Sequence, residues 1–385
     1  MIVSKRHKKT GLRIKVTRKI SEIPAHDWKK VYPDVLENYD FFRTIDSSGI
    51  TQFSFYYIIV YDKNHPVGAT ACFLVDYSLD TSINGPLRRI TNSIKRLKPN
   101  IFSIKTLVCG VPMAQGKIGL AGDKSAVFKA MLRKMDHIAK KSKASIVAFK
   151  DFDGPYTEIL DPLQRAGFAK FDSLPNTELN VWHKDFEEYL KTLSGATRYD
   201  LRRKFKKVDG HVKIDLKIVD SLEADEMKAV YKMYLEIVSR HDMNFELLPE
   251  AFFRDISVNM PGRAKFFLWK IDGKIVAFLF SMVSQERFID YFVGLDYSVA
   301  HKYHLYFLKF REALIWCIKH KIKKYEMGIT AYEPKLRLGF DLVPLYIYAK
   351  LRNRMLRPAF NLICQFLKFE HFDPVLRAAK KKAGI

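Results

Sequence analysis

The 385-residue chain lacks several features that would assign it to a class at once. It contains no run of about 18 apolar residues, so no transmembrane helix is expected. Its first residues are basic but are not followed by an apolar segment, so no signal peptide is predicted. The motifs GxSxG, GxxxxGK[ST] and HExxH are absent, and the classes of enzyme that they mark are therefore not favoured.

Cysteine is scarce and scattered. Cys72, Cys109, Cys317 and Cys364 lie far apart in apolar surroundings, with no CxxC pair and no zinc-ligand spacing. This usage predicts reduced, buried thiols and a cytoplasmic location. The eleven histidines are also scattered, without an acidic cluster nearby, so no metal site is expected.

Acidic residues are few compared with basic ones. The chain has 66 lysines and arginines against 42 aspartates and glutamates, a formal net charge of +24. That excess predicts a polyanionic partner, which could be nucleic acid, an anionic membrane surface or a phosphorylated substrate. Hydrophobic residues make up 48% of the chain, enough to exclude disorder for most of it, and the length suits two domains.

A repeated order of elements predicts two similar domains. Hairpin patterns at 53–77 and 264–283 are each followed by a strand, a long amphipathic helix and a short strand. Each half then reaches a Gly-Phe pair, and the first half carries an additional basic insertion at about 78–100. The predicted organisation is an N-terminal domain at 12–182, a basic helical linker at 183–211, a C-terminal domain at 212–350 and a basic amphipathic tail at 351–385.

Four segments carry a resemblance to a known family. They are "YKMYLEIVSRHDMNFELLPEAFF", "RFIDYFVGLD" leading into "HLYFLKFREALIWCIKHKI", "YEMGITAYEPKLRLGF" and "SGATRYDLRRKFKK". With the repeated element order, they resemble the FemAB-like branch of the GNAT acyltransferase superfamily, assigned to peptidoglycan biosynthesis or to acyl transfer generally. Pro334 and Leu338 stand where that branch usually has histidine and arginine. The resemblance implies a mixed α/β fold with two tandem GNAT-like domains.

The same resemblance implies a bacterial-type enzyme that transfers an acyl or aminoacyl group to an amine. The implied donor is acyl-CoA or aminoacyl-tRNA, without a metal, and the implied acceptor is a cell-envelope precursor or a related small molecule. Partners would then include an anionic or lipid-linked substrate, tRNA and a membrane surface. Two alternatives stay open: an acetyl-CoA-dependent N-acetyltransferase acting on an amino sugar or small amine, and a non-catalytic protein that binds membrane or RNA through degenerate domains.

The catalytic candidates lie on two strands of the second half. Glu326, on a short strand at the opening where donor and acceptor would meet, could accept a proton from the amine. Asp290 and Tyr291 are adjacent on the neighbouring strand, so they point to opposite faces and only one can face the site. The alternative for Glu326 is a structural carboxylate that pairs with Lys335 or Arg337.

A glycine-rich stretch in the first half, "QGKIGLAGDK", resembles the pyrophosphate-binding loop of GNAT enzymes. Small residues permit close backbone approach, and a lysine adds positive charge. The candidate cofactor-binding residues are Gly116, Lys117, Gly119, Ala121 and Gly122. The alternative is a tight turn between a strand and a helix. The equivalent loop of the second half, "LDYSVAHKYHLYF", has no glycine, which indicates another acyl donor or a degenerate cofactor site in one half.

Basic side chains supply the substrate-binding candidates. Arginine suits bidentate contact with phosphate or carboxylate, and lysine suits a point-charge contact. The candidates are Arg198, Arg202, Arg240, Tyr332, Lys335 and Arg337. The alternative for the helix that carries Arg198 and Arg202 is an ordinary solvated face.

The C-terminal tail is basic and aromatic. Leu362, Ile363, Phe366, Leu367 and Phe369 could form one apolar face of a helix. Such a helix could lie in a membrane interface and attract anionic lipid, or it could dock on the protein core. The sequence leaves both interpretations open.

Overall fold

The computed structural model of the protein describes residues 11–78, 103–240, 247–368 and 373–383. All of the predicted basic insertion except Ser78 lies outside these ranges, as does Phe369. The chain forms two compact units: unit 1 comprises Met1–Asp46, Thr51–Phe171 and Tyr346–Leu367, and unit 2 comprises Ser47–Ile50, Asp172–Leu345 and Lys368–Ile385. The helices predicted as a linker at 183–211 belong to unit 2, and the predicted tail contributes to unit 1 as far as Leu367.

Unit 1 is built on an antiparallel hairpin extended on both sides. Its strands are β1 (Leu12–Thr17), β2 (Ser54–Asp62), β3 (His65–Ser78), β4 (Ser103–Cys109), β5 (Ile118–Leu120) and β6 (Ile146–Asp153). Its helices are α1 (Ala25–Val31), most of α2 (Tyr39–Ser47), α3 (Lys124–Lys141) and α4 (Thr157–Leu160), with 3₁₀ turns at Ile20–Glu22, Gly154–Tyr156 and Asp161–Ala166. The strand order is β1-β2-β3-β4-β6, with β5 on β3; in this described path β4 and β6 pair in parallel and the other pairs are antiparallel.

Unit 2 repeats this arrangement. Its strands include β8 (Asp215–Val219), β9 (Ala264–Ile271), β10 (Lys274–Val283), β11 (Arg287–Leu295) and β12 (Lys324–Glu326), while β7 (Ala169–Asn180) and β13 (Asp341–Leu351) each contribute residues to both units. Its helices are α5 (Phe186–Thr192), α6 (Gly195–Asp209), α7 (Ala224–Arg240), α8 (Glu250–Asn259), α9 (Tyr297–Ala300), α10 (Leu305–Lys319) and α11 (Tyr332–Arg337). The strand order is β7-β12-β11-β10-β9-β8; among these described strands β11 and β12 pair in parallel and the other pairs are antiparallel.

Two further helices follow β13: α12 (Arg357–Phe366), in unit 1, and α13 (Pro374–Ala383), in unit 2. Within the described ranges, no helix is both long and apolar enough to cross a bilayer. In the same ranges, no group of three or more histidine, cysteine, aspartate or glutamate side chains is arranged to hold a metal ion. The four cysteines are buried free thiols.

Apolar alternation and turn chemistry explain the repeated hairpins. The turn between β9 and β10 places Asp272 at φ +48° and Gly273 at φ +76°, the left-handed backbone that a two-residue hairpin turn requires. Beyond the long helix of each unit, a Gly-Phe pair closes a shorter helix. Gly167 and Gly339 adopt φ +87° and +78°, and the phenylalanine that follows each is buried in the core of its unit. The predicted mixed α/β fold is confirmed.

Candidate active site

In the sheet of unit 2, the pairing of β11 with β12 stops where β12 ends, and we call the place beyond that end, beside β11, the opening. The two parallel strands pair only from Arg287 opposite Lys324 to Ile289 opposite Glu326. β12 ends at Glu326, whereas β11 continues to Leu295. From Asp290 onward, this edge of β11 therefore has no strand partner among the described residues.

A β-bulge lies at the start of the opening. Phe280 pairs with Phe292 and Ser281 pairs with Asp290, so Tyr291 is an extra residue in β11. Bulges redirect side chains and interrupt the ladder, and they are common next to active sites. Tyr291 is half-buried and contacts the rings of Phe280 and Phe292, at centroid distances of 5.9 and 6.2 Å.

Asp290 is buried on the side of the sheet covered by α10. Its Oδ2 accepts from the Nζ of Lys309, whose side chain is 0% exposed, and from the Tyr325 hydroxyl at 3.1 Å. Its Oδ1 has no hydrogen-bond partner among the described residues, and neither has the hydroxyl of Ser281 or of Tyr306. The result is a small polar cluster within an apolar core, containing a buried ion pair.

Glu326 is also buried, at 3% exposure, and both of its oxygens are engaged. The guanidinium of Arg287 donates to Oε1, and the side-chain amide of Asn176 donates to Oε2 at 2.8 Å. Burial raises the pKa of Glu326, the neighbouring Glu178 adds to that rise, and Arg287 and Asn176 oppose it. Its partners are thus not Lys335 or Arg337, the two that the sequence suggested.

The loop after β12 carries backbone strain. Gly328, Thr330 and Ala331 have φ of +68°, +87° and +49°, and this conformation is unfavourable for the β-branched Thr330. Lys335 donates from Nζ to the Met327 carbonyl at 2.6 Å and to the Gly328 carbonyl at 3.1 Å.

Two further contacts restrain the same loop. The hydroxyl of Thr177 donates to the Gly328 carbonyl at 2.7 Å, and the hydroxyl of Tyr332 donates to the Pro175 carbonyl at 2.9 Å. Both Tyr332 and Lys335 are buried. Tyr332 and Lys335 therefore hold the loop after β12 in place through hydrogen bonds to backbone carbonyls.

The lowered pKa of Lys335 makes the free energy of unfolding depend on pH. The pKa of Lys335 is lowered from 10.5 to about 7, chiefly by burial and also by the Lys309 charge, whereas Asp290 acts in the opposite direction. The folded-state pKa lies below the unfolded one, so between pH 7 and 10.5 the unfolded chain binds more protons and stability rises with pH. One such group contributes about 1.4 kcal/mol per pH unit.

We therefore compare the free energy of unfolding of wild type with that of Lys335→Met. The difference, wild type minus variant, should increase between pH 7 and pH 10. Urea denaturation across this range measures it. Lys228→Met removes a lysine that is 76% exposed and should change stability almost equally at every pH. Identical pH profiles for wild type and Lys335→Met would contradict the assignment.

The basic helix α6 is partly neutralised. Arg202 pairs with Glu187, and Arg337 donates to Asp200 at 3.1 Å. Arg198 donates to the Lys191 carbonyl at 3.4 Å. The cations around Asp200 lower the pKa of that carboxyl.

Arg240, the last residue of α7, lies elsewhere in unit 2. Its guanidinium stacks over the ring of Tyr297 at 4.0 Å, at the start of α9.

The helix α6 lies beside the start of α10, where the Nζ of Lys204 is 4.1 Å from the centroid of the Phe307 ring. His304, the residue before α10, adopts φ +47° and makes no side-chain cap. Its pKa is lowered by burial and by the charges of Lys204, Lys207 and Arg203, opposed by Asp200. The helix α6 and the glycine-free loop are about 100 residues apart in the chain, so no local pattern indicated that they would be neighbours.

The glycine-rich stretch of unit 1 is engaged in packing. Gly119 lies in β5 opposite Ala69 of β3, and a Cβ there would overlap the Val31 carbonyl. A Cβ at Gly116 would overlap the Phe152 ring. Close packing, rather than approach to a phosphate, accounts for both glycines.

The polar groups of this stretch are also occupied. The amides of Gly116 and Ala121 donate to backbone carbonyls at 3.0 and 2.8 Å, and Lys117 pairs with Asp153 at 3.0 Å. Gly122 makes the φ +64° turn before Asp123, whose carboxylate caps α3 at Ala126. A carboxylate at this helix start disfavours a phosphate there. The geometry favours the tight-turn alternative for this stretch.

The two units also differ at the equivalent strand pair. In unit 1, β4 pairs with β6 up to Cys109, the last residue of β4. In unit 2, by contrast, β11 continues for six residues beyond its last pairing with β12. The strand β4 has no such unpaired extension, so the pairing of β4 with β6 leaves no equivalent opening.

Comparison with known proteins agrees with this architecture. Residues 195–336, which include β11, β12 and the loop after β12, match the acetyltransferase (GNAT) domain family. Two curated relatives, "Putative 8-amino-7-oxononanoate synthase 2" from two strains of Mycobacterium tuberculosis, are 26% identical over 328 residues, covering 81% of this chain and 42% of theirs. The chain thus spans about two fifths of the length of the curated relatives it matches.

Solved structures share the fold over nearly the whole chain. FemX superposes with a TM-score of 0.57 at 11% identity, covering 90% of this chain and 100% of FemX. The tandem GNAT protein from the clavulanic acid biosynthesis pathway gives 0.52 at 9% identity, covering 88% and 98%. L-PGS from Bacillus licheniformis gives 0.51 at 12% identity, covering 81% and 89%. The chain therefore has a tandem GNAT fold, and its residues 195–336 match the acetyltransferase (GNAT) domain family.

Proposed function

We propose that the chain is an N-acyltransferase whose acyl donor binds in the opening between β11 and β12 of unit 2. The observation that carries the proposal is the parting of these strands after Ile289 and Glu326, next to the bulge at Tyr291. The opening supplies backbone donors that could polarise a donor carbonyl. It lies in the region that matches the GNAT domain family, which favours an acyl-CoA donor over an aminoacyl-tRNA.

The proposed reaction is direct attack by an amine on the donor thioester. A C–N bond forms and the C–S bond breaks, and the proton lost by the amine is transferred, directly or through water, to the departing thiolate. With an aminoacyl-tRNA donor, the bond that breaks would be C–O. No covalent enzyme intermediate is required.

The three catalytic candidates take different parts in this proposal. Asp290 and Glu326 are buried in ion pairs with Lys309 and Arg287, which suits positioning groups that support the bulge and the end of β12. Tyr291 is the half-buried residue at the bulge itself, and we assign it to contact with the reacting atoms.

The proposed acceptor is the amine of an anionic cell-envelope precursor. The net charge of +24 and the basic side chains of α6 beside the start of α10 support an anionic ligand. FemX and L-PGS, which share the fold, add support by analogy alone. An aminoacyl-tRNA donor remains part of the proposal and would bind with steeply salt-dependent affinity.

Hydrogen exchange with and without acetyl-CoA tests the donor site. We expect bound donor to slow exchange of backbone amides in Asp290–Leu295 of β11, whose outward edge has no strand partner among the described residues. The amides of β4 in unit 1 serve as an internal control and should not change. Protection confined to unit 1, or no binding of acetyl-CoA or longer acyl-CoA thioesters at millimolar concentration, would contradict the proposal.

A further inference from the structure

The helix α12 in unit 1 is oriented with its apolar face outward. Successive turns of the helix place Leu362, Ile363 and Phe366 on one side, and these side chains are 56%, 61% and 70% exposed. Met355, in the turn before the helix, is 90% exposed. Leu356 and Leu367 extend the same surface, at 59% and 38% exposure. An amphipathic helix of a globular protein normally turns such a face toward the core.

The opposite face attaches α12 to unit 1 by a smaller and more polar set of side chains. Cys364 is 2% exposed, and Phe360 and Asn361 are partly buried. Arg357 donates from Nε to the Leu351 carbonyl at 2.9 Å and from Nη2 to the Arg352 carbonyl at 3.3 Å. The helix is therefore held in place with its apolar side chains directed away from the unit.

The charges around this apolar surface have one sign. Between Lys350 and Lys368 the sequence contains three arginines, at 352, 354 and 357, and no aspartate or glutamate. Arg354 is exposed immediately before the helix, and Lys368 is exposed immediately after it. Exposed apolar side chains flanked by cations are the composition of helices that bind the interface of anionic membranes.

We infer that Met355–Leu367 is a membrane-docking surface that inserts its apolar side chains among the acyl chains of an anionic bilayer. A second copy of the chain is a poorer occupant, because a symmetric interface through this surface would bring the two sets of cations together. The inference goes beyond the proposed acyl transfer and does not depend on it, since the surface lies in unit 1 and the candidate donor site lies in unit 2.

Vesicle co-sedimentation of the full chain without any acyl donor tests the inference. Wild type should bind vesicles of phosphatidylglycerol and phosphatidylcholine, bind phosphatidylcholine alone more weakly, and bind less at high salt. The double change Ile363→Gln with Phe366→Gln should weaken binding by about tenfold or more, because two inserted apolar side chains are lost. Arg354→Gln should weaken binding to the anionic vesicles only.

Val258→Gln is the matched control, because Val258 is an apolar residue that is 74% exposed but lies on α8. It should bind vesicles as wild type does. All substituted positions are exposed, so thermal unfolding should remain close to that of wild type. Failure of wild type to bind anionic vesicles, or undiminished binding by the double variant, would overturn the inference. So would a dimer that the double variant converts to monomer.

Discussion

Replacing Asp290 with alanine is expected to lower the free energy of unfolding by about 3–5 kcal/mol, because it leaves the Lys309 ammonium buried without its counter-charge. The Lys309 side chain is 0% exposed and lies within the apolar core between α10 and the sheet of unit 2.

A double-mutant cycle in urea measures this coupling. Lys309→Met alone should also destabilise, because it leaves the Asp290 carboxylate buried with only the Tyr325 hydroxyl as a donor. The combination of Asp290→Ala with Lys309→Met should be less destabilised than the sum of the single changes, because no charge remains buried.

An exposed ion pair provides the control for that cycle. Lys323 and Glu286 pair at 2.7 Å with side chains 69% and 60% exposed, and Lys323→Ala should cost less than about 1 kcal/mol. If Asp290→Ala cost no more than this control, the ion pair would not be buried as described.

Replacing Arg287 with methionine is expected to destabilise the protein by a similar amount, about 3–5 kcal/mol near pH 7.5. The reason is again an uncompensated charge, here the Glu326 carboxylate at 3% exposure. Asn176 would remain as its hydrogen-bond donor, but the neutral amide cannot balance the charge.

The stability lost in Arg287→Met should depend on pH. Burial already raises the pKa of Glu326 above 4.5, and loss of Arg287 removes an interaction that lowers it. Because the folded state then binds the proton more tightly than the unfolded chain, stability falls as pH rises from about 4.5 through the folded-state pKa. The deficit of Arg287→Met should therefore be smaller at pH 5 than at pH 7.5.

Two variants separate this mechanism from a general loss of packing. Adding Glu326→Gln to Arg287→Met should recover much of the lost stability at pH 7.5, because the buried charge is gone. Lys324→Met, which breaks the neighbouring pair with Glu178 at 2.8 Å and 47% lysine exposure, should have a small effect. An equal deficit for Arg287→Met at pH 5 and pH 7.5 would contradict the assignment to Glu326.

Patterns in the sequence predicted the elements but not their contacts. Period-2 and period-3.6 hydrophobicity, with turn signals such as Asp272-Gly273, marked the hairpins and long helices of both halves. Lys309 lies in a helix that also contains Arg311, Glu312 and Lys319, and Arg287 begins a strand. Neither position carried a recognisable motif. Their carboxylate partners are 19 and 39 residues away, a separation at which pairing depends on the fold.

The sequence by itself determined the element order, the repetition of that order in two halves, the excess of positive charge and the amphipathic character of the C-terminal helix. These follow from residue spacing and composition, which are local or summed properties of the chain. Only the tertiary structure decided that the strands part in unit 2, that Gly119 serves packing, and that α12 presents its apolar face outward. Each of these depends on which distant residues come to lie side by side, and long-range packing determines that rather than local pattern.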